Sequence, residues 1–292
     1  MNSRRTRGEK VFAVFNYTLL TLLCVMMVYP YLRSIAVSFS DKYEVVRGSV
    51  GIIPKGFNID SYRYIFTNKL FWTALRITLI VTAVGTVFSV VMTCLFAYPL
   101  ANKHFRLRNA LTVIVVITMF FEGGLIPTFM LYKQLGLINN ILVYILPASI
   151  STWSLIILRN FFQQIPVELE ESAFMDGANE LTILFRIIMP IALPSIATIT
   201  LWYIVSYWNT FSSSIYYTTD RNLRTLQVVL RGILMDEEQI TSQSNVNDAM
   251  RRMTPQSLKS AWIMCVTVPI LAVYPFLQKY FVKGVIVGAL KG

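Results

Sequence analysis

Six long apolar runs dominate this sequence. Five of them contain no Asp, Glu, Lys or Arg: 11–32, 77–102, 134–158, 187–219 and 260–278. A sixth run, 109–132, is interrupted only by Glu122. Because a membrane-spanning helix needs about 20 largely apolar residues, the runs predict an all-α polytopic membrane protein with six transmembrane helices. Charged residues make up only 14% of the chain, against about 25% in soluble domains.

The runs also predict how the chain is organised, since they leave no room for a separate soluble domain. We expect a cytoplasmic N-terminal tail at 1–10, one six-span transmembrane domain at 11–283 and a cytoplasmic C-terminal tail at 284–292. Within the transmembrane domain, 164–190 forms a cytoplasmic loop and 212–259 forms a long outer loop.

The basic residues indicate the orientation of the spans. Lys and Arg concentrate in short segments beside the first, second and last spans: Arg4, Arg5, Arg7, Lys10, Lys103, Arg106, Arg108, Lys279, Lys283 and Lys291. Positively charged short segments stay on the cytoplasmic side, so we expect both termini in the cytoplasm and the chain in a bacterial inner membrane. Over all segments, Lys and Arg are equally numerous on the two predicted sides of the membrane. Most of those on the outer side lie in two long loops, whose charges influence orientation less than those of short segments.

Several classes of function lack the residues they need. A zinc metalloprotease of the His-Glu-x-x-His type requires two histidines, and His104 is the only one. No Gly-x-x-x-x-Gly-Lys-Ser/Thr loop is present, so any ATP must be bound by another chain. Cys24, Cys94 and Cys265 lie singly in different runs, which predicts neither a disulfide nor a metal site. The net charge is +11, but the sequence has no basic cluster with interleaved aromatic residues on which bases could stack. We therefore expect no nucleic-acid partner.

The loop at 164–190 holds one third of the acidic residues in the chain. Five of the 15 acidic residues lie within a short stretch: Glu168, Glu170, Glu171, Asp176 and Glu180. Pro166 fits a first helical turn, Gly177 fits a helix end, and Asn179 fits the N-cap of a second helix that runs to Pro190. The loop is therefore predicted to be a compact helix-turn-helix.

One face of the first loop helix is narrow. Leu169, Ala173 and Gly177 recur every four residues, so they share a face opposite the carboxylates. Such a face fits the groove of a partner protein. A solvated acidic loop that merely joins two spans is an equally good explanation from these residues alone.

Part of this loop resembles a known family signature. The segment Glu171-Ser172-Ala173-Phe174-Met175-Asp176-Gly177, followed by Ile188-Met189-Pro190, resembles the Glu-Ala-Ala…Gly (EAA) motif of ABC-importer permeases, with Ser172 and Met189 in place of the usual Ala and Leu. The segments 97–101, 105–106 and 278–284 are similar to the carbohydrate-uptake branch of that family. The segments 121–127 and 207–209 resemble the permeases of complex-oligosaccharide importers, including those for alginate oligosaccharides.

The resemblance implies a type I ABC-importer transmembrane subunit that carries oligosaccharides, with acidic, alginate-type oligomers as the narrower expectation. Its partners would be a homologous second permease, two ATP-binding cassette subunits and an extracytoplasmic solute-binding protein. ATP and Mg²⁺ would be bound by the ATPase subunits, and this chain would hold no metal, cofactor or catalytic residue. The loop at 164–190 would supply the coupling helix, with Glu168, Glu170, Glu171, Ala173, Asp176 and Gly177 as the coupling residues.

Glu122 is a carboxylate within an apolar run. At membrane depth it needs a partner, a proton or a water-filled cavity, so it marks a functional position in the substrate pathway. The adjacent Gly123 and Gly124 and the following Pro127 weaken the helix there, and irregular backbone is tolerated only against protein or water. The alternative is a position at the outer interface, where Glu122 simply meets water.

The fifth run carries residues that suit a sugar pathway. Trp208 offers a face on which a sugar ring can stack, and the Asn209 amide can pair with hydroxyl groups. Tyr203 and Tyr207 extend this expected lining. For each aromatic residue, an interfacial aromatic belt is the alternative.

The outer loop shows one helical pattern and a set of flanking charges. Apolar residues at helical spacing predict an amphipathic helix that packs on the permease pair or touches the binding protein: Leu223, Leu226, Val229, Leu230, Ile233 and Leu234. Arg33, Arg76 and Lys133 flank the outer span ends, where they would favour an acidic substrate or simply anchor the spans at the interface.

Two rival functions remain at this point. An ion-coupled secondary transporter would show inverted repeats and more intramembrane acids than Glu122. A membrane enzyme acting on lipid-linked sugars would need several carboxylates or histidines near one membrane face, and the acidic loop contains no histidine. The sequence therefore favours a non-catalytic permease that opens alternately to the two sides of the membrane.

Overall fold

The computed structural model describes residues 6–235 and 253–289. Every regular element in these residues is helical, which confirms the all-α prediction. The α-helices in chain order are α1 (Arg7–Ser38), α2 (Lys42–Val46), α3 (Asp60–Thr67), α4 (Lys69–Ala101), α5 (Arg108–Phe120), α6 (Leu125–Gln134), α7 (Leu142–Ile145), α8 (Thr152–Phe162), α9 (Glu168–Met175), α10 (Glu180–Ile183), α11 (Met189–Ile191), α12 (Leu193–Trp208), α13 (Ser212–Tyr217), α14 (Leu226–Met235) and α15 (Pro255–Ala289). A π-helical turn, Leu184–Ile188, joins α10 to α11, and a 3₁₀ turn, Arg221–Leu223, precedes α14.

In the described part of the chain, three helical segments are long and apolar enough to cross a membrane: Gly8–Ser38, Lys69–Ala101 and Pro255–Val273. Two bent pairs raise the number to five if each pair is one span. The pair α5 and α6 is bent by 117°, and the helical segment Glu180–Ile191 is bent by 88° against α12. The predicted run at 134–158 is divided between the short helices α7 and α8. The sixth span therefore stays a prediction.

The chain divides into two compact units. The first comprises Met1–Asn68 and Leu230–Thr267, and the second comprises Lys69–Val229 and Val268–Gly292. In the first unit, four buried residues form a small cluster: Ala36, Val37, Val45 and Val50. The hydroxyl groups of Ser38 and Tyr62 lie 2.8 Å apart. None of the most apolar 18 residues of α1 is buried, as expected for a helix that contacts lipid or another chain.

The core of the second unit is built where α4 packs against α8 and α12. Its buried residues include Cys94, Leu155, Leu158 and Ile199, which are at most 1% exposed. Gly85 lets α4 and α12 approach each other closely, because a Cβ atom there would lie 2.8 Å from the ring of Tyr207. The missing side chain thus allows a tyrosine of α12 to lie directly against the α4 backbone.

Prolines lie within three of the long helices. Pro30 lies inside α1, Pro99 inside α4, and Pro269 and Pro275 inside α15. Each proline removes one backbone hydrogen bond of its helix. These positions are therefore points where the long helices can bend.

The structure also bears on the predicted outer loop and tails. The predicted amphipathic helix is α14, in which Leu226 and Val229 are buried, whereas Leu223 precedes it in the 3₁₀ turn. Residues 236–252 of the outer loop, 1–5 of the N-terminal tail and 290–292 of the C-terminal tail lie outside the described residues. Helix α1 already begins at Arg7 and α15 continues to Ala289, so helices extend into both predicted tails.

Candidate functional site

The acidic loop folds as the predicted helix-turn-helix. Three glutamates lie in the first turn of α9, where they face the positive end of the helix dipole. The helix ends at Met175, and Gly177 two residues later has a φ of +83°, a conformation that favours glycine. The amide of Gly177 donates to the carbonyl of Phe174 (3.0 Å) and that of Ala178 to the carbonyl of Ala173 (2.9 Å), which together form a Schellman motif. Asn179 then caps α10 by accepting from the amide of Thr182 (2.8 Å).

The exposed face of α9 differs from the predicted small-residue face. Ala173 is only 7% exposed and belongs to the core of the second unit, whereas Leu169 and Gly177, the other residues of the predicted face, are exposed. The small side chain of Ala173 lets α9 pack closely on its own chain. The exposed surface carries the carboxylates of Glu168 and Glu171 together with Phe174, which is 43% exposed, and Met175, which is 88% exposed.

A groove of about 510 Å³ lies beside this helix. It is lined by the segment from Ala101 to His104, by the end of α8 and by the start of the acidic loop. Lys103 and His104 bring basic groups to a groove that also contains Glu168, Glu170 and Glu171. The basic residues Lys103 and His104 and the acidic loop, far apart in sequence, therefore lie at the same end of the second unit.

Glu170 differs from its acidic neighbours because it is half-buried. Burial raises the pKa of its carboxyl group above the ordinary value of 4.5, and repulsion from Glu180 raises it further, whereas His104 lowers it. Glu180 lines a second groove of about 270 Å³ that includes Tyr98 and Phe105. Glu170 and Glu180 thus lie in the two helices of the loop, close enough for their charges to repel.

Glu122 lies where the helix of its apolar run is broken. The backbone of 121–124 is non-helical between α5 and α6, Gly124 has a φ of +78°, and Glu122 is exposed. Helix α5 has 13 residues, so at 1.5 Å per residue it rises about 20 Å from Arg108. A hydrocarbon layer is about 30 Å thick. With Arg108 at the cytoplasmic interface, as predicted, Glu122 would lie inside the membrane.

The predicted aromatic lining lies in the protein interior instead. Tyr203, Tyr207 and Trp208 are at most 4% exposed. The Tyr203 hydroxyl lies 2.8 Å from Oγ1 of Thr93 and accepts from the amide of Ser151 (3.0 Å). The Tyr207 hydroxyl lies 2.7 Å from Oγ of Ser89. Contacts with α4 therefore occupy the hydroxyl groups of Tyr203 and Tyr207 in this structure. The place of the three aromatic residues in the substrate pathway stays a prediction.

Asn209 is exposed at the end of α12, unlike the three aromatic residues before it. Its Nδ2 donates to the carbonyl of Val205 (2.8 Å), and its Oδ1 accepts from Nε2 of Gln227 (3.0 Å). The amide is therefore held in a fixed orientation at the surface. Four residues of the fifth run were predicted to line the pathway: Tyr203, Tyr207, Trp208 and Asn209. Among the described residues, Asn209 is the one of these four that is exposed.

Comparison with known proteins places this architecture in a family. Residues 85–287 match the model described as the binding-protein-dependent transport system inner membrane component. The chain belongs to this family. The permease is also 41% identical to the polygalacturonan/rhamnogalacturonan transport system permease protein YtcP of Bacillus subtilis (strain 168), over 97% of this chain and 99% of that protein.

Two solved structures resemble the permease. One is a bacterial ABC transporter involved in the import of the acidic polysaccharide alginate, with a TM-score of 0.88 and 30% identity over 96% of this chain and 100% of that chain. The other is a bacterial alginate ABC transporter in complex with an alginate pentasaccharide-bound periplasmic protein, with a TM-score of 0.61 and 16% identity over 92% and 93% of the two chains. The latter supports the fold alone. The chain is thus a non-catalytic membrane permease with the type I ABC-importer transmembrane fold.

Two features of the permease were missed from its sequence. Arg159 in the last turn of α8 donates from Nε to the carbonyl of Leu100 (3.0 Å) and so caps the end of α4. Asn139, with a φ of +55°, accepts at Oδ1 from the amides of Thr219 (2.7 Å) and Asp220 (3.1 Å). The only available signals were a basic residue in a last helical turn and an asparagine, a residue type that tolerates positive φ.

Proposed function

We propose that the permease carries acidic oligosaccharides across the bacterial inner membrane as one of two homologous permease subunits of an ATP-driven importer. The observation that carries the proposal is its similarity, over nearly its whole length, to permeases named for polygalacturonan/rhamnogalacturonan and alginate transport. Alginate and polygalacturonan are chains of uronic acids, so each sugar unit bears a carboxylate.

The charges near the predicted outer span ends fit such a substrate. Arg33, Arg76 and Lys133 are exposed, and in residues 6–235 and 253–289 none of them has an ion-pair partner. Unpaired basic groups beside an entrance raise the local concentration of anions. They support an acidic substrate over a neutral one.

The helix-turn-helix loop at 164–190 is proposed to dock on an ATPase subunit. Its exposed carboxylates, Glu168, Glu171 and Asp176, can form charge-assisted hydrogen bonds with arginines of a partner. The apolar side chains of Phe174 and Met175, exposed beside them, can fill a groove in that partner. The Schellman turn at Gly177 fixes the angle between the two loop helices.

The broken helix at Glu122 and the amide of Asn209 are proposed to line the substrate pathway. The backbone at 121–124 has polar groups without helical hydrogen bonds, and inside a membrane such groups must meet protein or water. A water-filled pathway meets this requirement for both the backbone and the carboxylate. Tyr203, Tyr207 and Trp208 are buried in this structure, so they would meet the substrate only in a conformation that exposes them.

The contacts within the second unit support the proposed alternation of its spans. Their direction, with both termini in the cytoplasm and a solute-binding protein on the outer side, is proposed from the basic residues of the short segments. Residues of the two predicted cytoplasmic loops line one groove together. Asn139 and Thr219, from two segments predicted on the outer side, are hydrogen-bonded to each other. The segments predicted on the inner side therefore lie near one another, and so do the two segments predicted on the outer side.

The acidic substrate is tested by uptake into proteoliposomes that contain the complete importer with its binding protein. Galacturonate or alginate oligomers are compared with carboxyl-reduced neutral oligomers of equal length. We expect the acidic oligomers to enter several-fold faster, and Arg76→Gln and Lys133→Gln to reduce this preference. Arg106→Gln, a basic residue of the predicted cytoplasmic loop, is the matched control and should leave it unchanged. Equal uptake of acidic and neutral oligomers by the wild type would refute the acidic substrate.

A further inference from the structure

The side-chain amide of Asn209 is held from two directions. Its Nδ2 donates to the carbonyl of Val205, one turn earlier in α12 (2.8 Å), and its Oδ1 accepts from Nε2 of Gln227 (3.0 Å). A side-chain amide has two N–H groups and two lone pairs on its oxygen. Asn209 therefore retains one N–H group and one lone pair for a ligand, and the two cannot change places unless both hydrogen bonds break.

The contact with Gln227 comes from the outer loop. Gln227 is the second residue of α14 and follows Asn209 by 18 residues. The contact with Val205 is local, and an asparagine in the last turn of a helix can form it without help from any other segment. The outer loop therefore contributes the one side-chain contact that ties the Asn209 amide to a distant part of the chain.

The start of α14 has a fixed backbone. The amide of Leu226 donates to Oγ1 of Thr78 in α4 (2.9 Å), and Oγ1 of Thr225 donates to the carbonyl of Thr210 (2.7 Å), just after α12. The side chains of Thr78, Thr225 and Leu226 are buried. Hydrogen bonds in the protein interior are stronger than those exposed to water. The side chain of Gln227 thus extends from a fixed position beside the end of α12.

Asn209 belongs to an accessible face of α12. Val205 and Ser206 lie about one turn before Asn209, and Trp202 lies about two turns before it, so the four residues share one side of the helix. All four are exposed. The hydroxyl group of Ser206 and the indole ring of Trp202 are groups that suit a sugar. A sugar in the proposed pathway can therefore approach the Asn209 amide along this face.

We propose that Gln227 is a positioning residue of the substrate pathway: it fixes the Asn209 amide so that the remaining N–H group and lone pair meet a sugar hydroxyl group, which can both donate and accept. This inference rests on the proposed place of Asn209 in the pathway. An amide that is already fixed loses less side-chain freedom when it binds, so its bonds to the sugar are stronger. Gln227 acts through Asn209 and needs no contact of its own with the sugar.

The test uses the complete importer in proteoliposomes, with its binding protein and galacturonate oligomers. Gln227→Met keeps the length of the side chain but removes the donor to Asn209, and Asn209→Ala and the double variant complete a cycle. Gln134→Met is the matched control, because Gln134 is an exposed glutamine of the same unit. The initial uptake rate is measured against the concentration of sugar-loaded binding protein, together with copurification of the ATPase subunits.

We expect Gln227→Met to lower the maximal uptake rate about threefold to tenfold, the range for one hydrogen bond. The concentration of loaded binding protein that gives half the maximal rate should stay unchanged, because the sugar meets Asn209 only after the binding protein has docked. In the Asn209→Ala background, Gln227→Met should cause no further loss, because the group that it positions is absent. Gln134→Met should keep the wild-type rate, and every variant should copurify with the ATPase subunits.

Three results would overturn the inference: Gln227→Met transports as fast as Gln134→Met, it loses as much in the Asn209→Ala background as in the wild type, or it changes the half-saturating concentration instead of the maximal rate. If Gln227→Met does not assemble, Gln227→Ala decides the question in the same cycle. The proposed function fails in a different way, and the inference with it, if the wild type shows no ATP-driven uptake or if Asn209→Ala transports as well as the wild type.

Discussion

The hydroxyl group of Tyr207 lies 2.7 Å from Oγ of Ser89, which precedes it by 118 residues. One helical turn along each helix, the Tyr203 hydroxyl lies 2.8 Å from Oγ1 of Thr93. The pairs run in opposite directions along α4 and α12, so the two helices are antiparallel and share a fixed register. This agrees with the predicted topology, in which α4 runs inwards and α12 outwards.

The first prediction concerns the glycine that allows this contact. Gly85→Ala would place a Cβ atom 2.8–3.0 Å from three ring atoms of Tyr207, so the ring must move. We expect the variant to unfold more easily, by about 1–3 kcal/mol as for other overpacked cores. Thermal unfolding of the detergent-solubilised protein measures this effect. Gly232→Ala, where nothing lies within 4 Å of the added atom, is the control and should not lower stability.

The second prediction separates backbone strain from lost hydrogen bonds at Asn139. Both Asn139→Gly and Asn139→Ala remove the bonds to Thr219 and Asp220. The φ of +55° adds backbone strain for alanine, which costs about 1–2 kcal/mol, but not for glycine. We therefore expect alanine to destabilise the protein more than glycine does, again by thermal unfolding. Equal stability of the two variants would show that the positive φ is not maintained.

The third prediction concerns the coupling loop. Gly177→Pro removes the amide that donates to Phe174 and cannot adopt a φ of +83°, and Glu171→Lys reverses an exposed charge. We expect both variants to insert in the membrane but to uncouple ATP hydrolysis from uptake. Glu44→Lys, an acidic residue of the first unit, serves as the charge control. Normal ATP-coupled uptake by both loop variants would remove the coupling assignment.

The fourth prediction concerns Glu122. If its carboxylate faces a water-filled pathway, Glu122→Leu removes a group that pairs with sugar hydroxyls, whereas Glu122→Gln keeps most of its hydrogen-bonding capacity. We expect uptake to fall strongly with leucine and weakly with glutamine, while assembly with the ATPase persists. The relevant measurement is the initial uptake rate at saturating substrate. A leucine variant that transports as well as the wild type would indicate that Glu122 faces lipid or lies outside the pathway.

Local signals in the sequence predicted much of the loop and of the broken helix. Asn179 caps α10 and Gly177 lies in the turn after α9, because caps depend on the side chains of a few adjacent residues. Gly123 and Gly124 lie in the predicted break for the same reason. Pro166, predicted in the first turn, lies two residues before the observed start of α9 at Glu168, and its carbonyl accepts from the amide of Leu169 (3.3 Å).

Features set by distant residues could not be predicted in this way. Tyr203 and Tyr207 have the composition of a sugar-binding surface, but their hydroxyl groups pair with Thr93 and Ser89 in another helix. Helical periodicity placed Ala173 on a narrow face without indicating whether that face meets a partner or the chain's own core. The long-range packing of α4 decides both outcomes.

The most direct test of the account is the energy source for uptake. Proteoliposomes are prepared with this permease, its partner permease and the ATPase subunits, with the binding protein and a labelled galacturonate or alginate oligomer outside. We predict uptake only when ATP is enclosed and the binding protein is present, and none when this chain is omitted. A proton or sodium gradient should not replace ATP. Uptake driven by such a gradient in the absence of ATP would contradict the account, because the chain would then be an ion-coupled transporter.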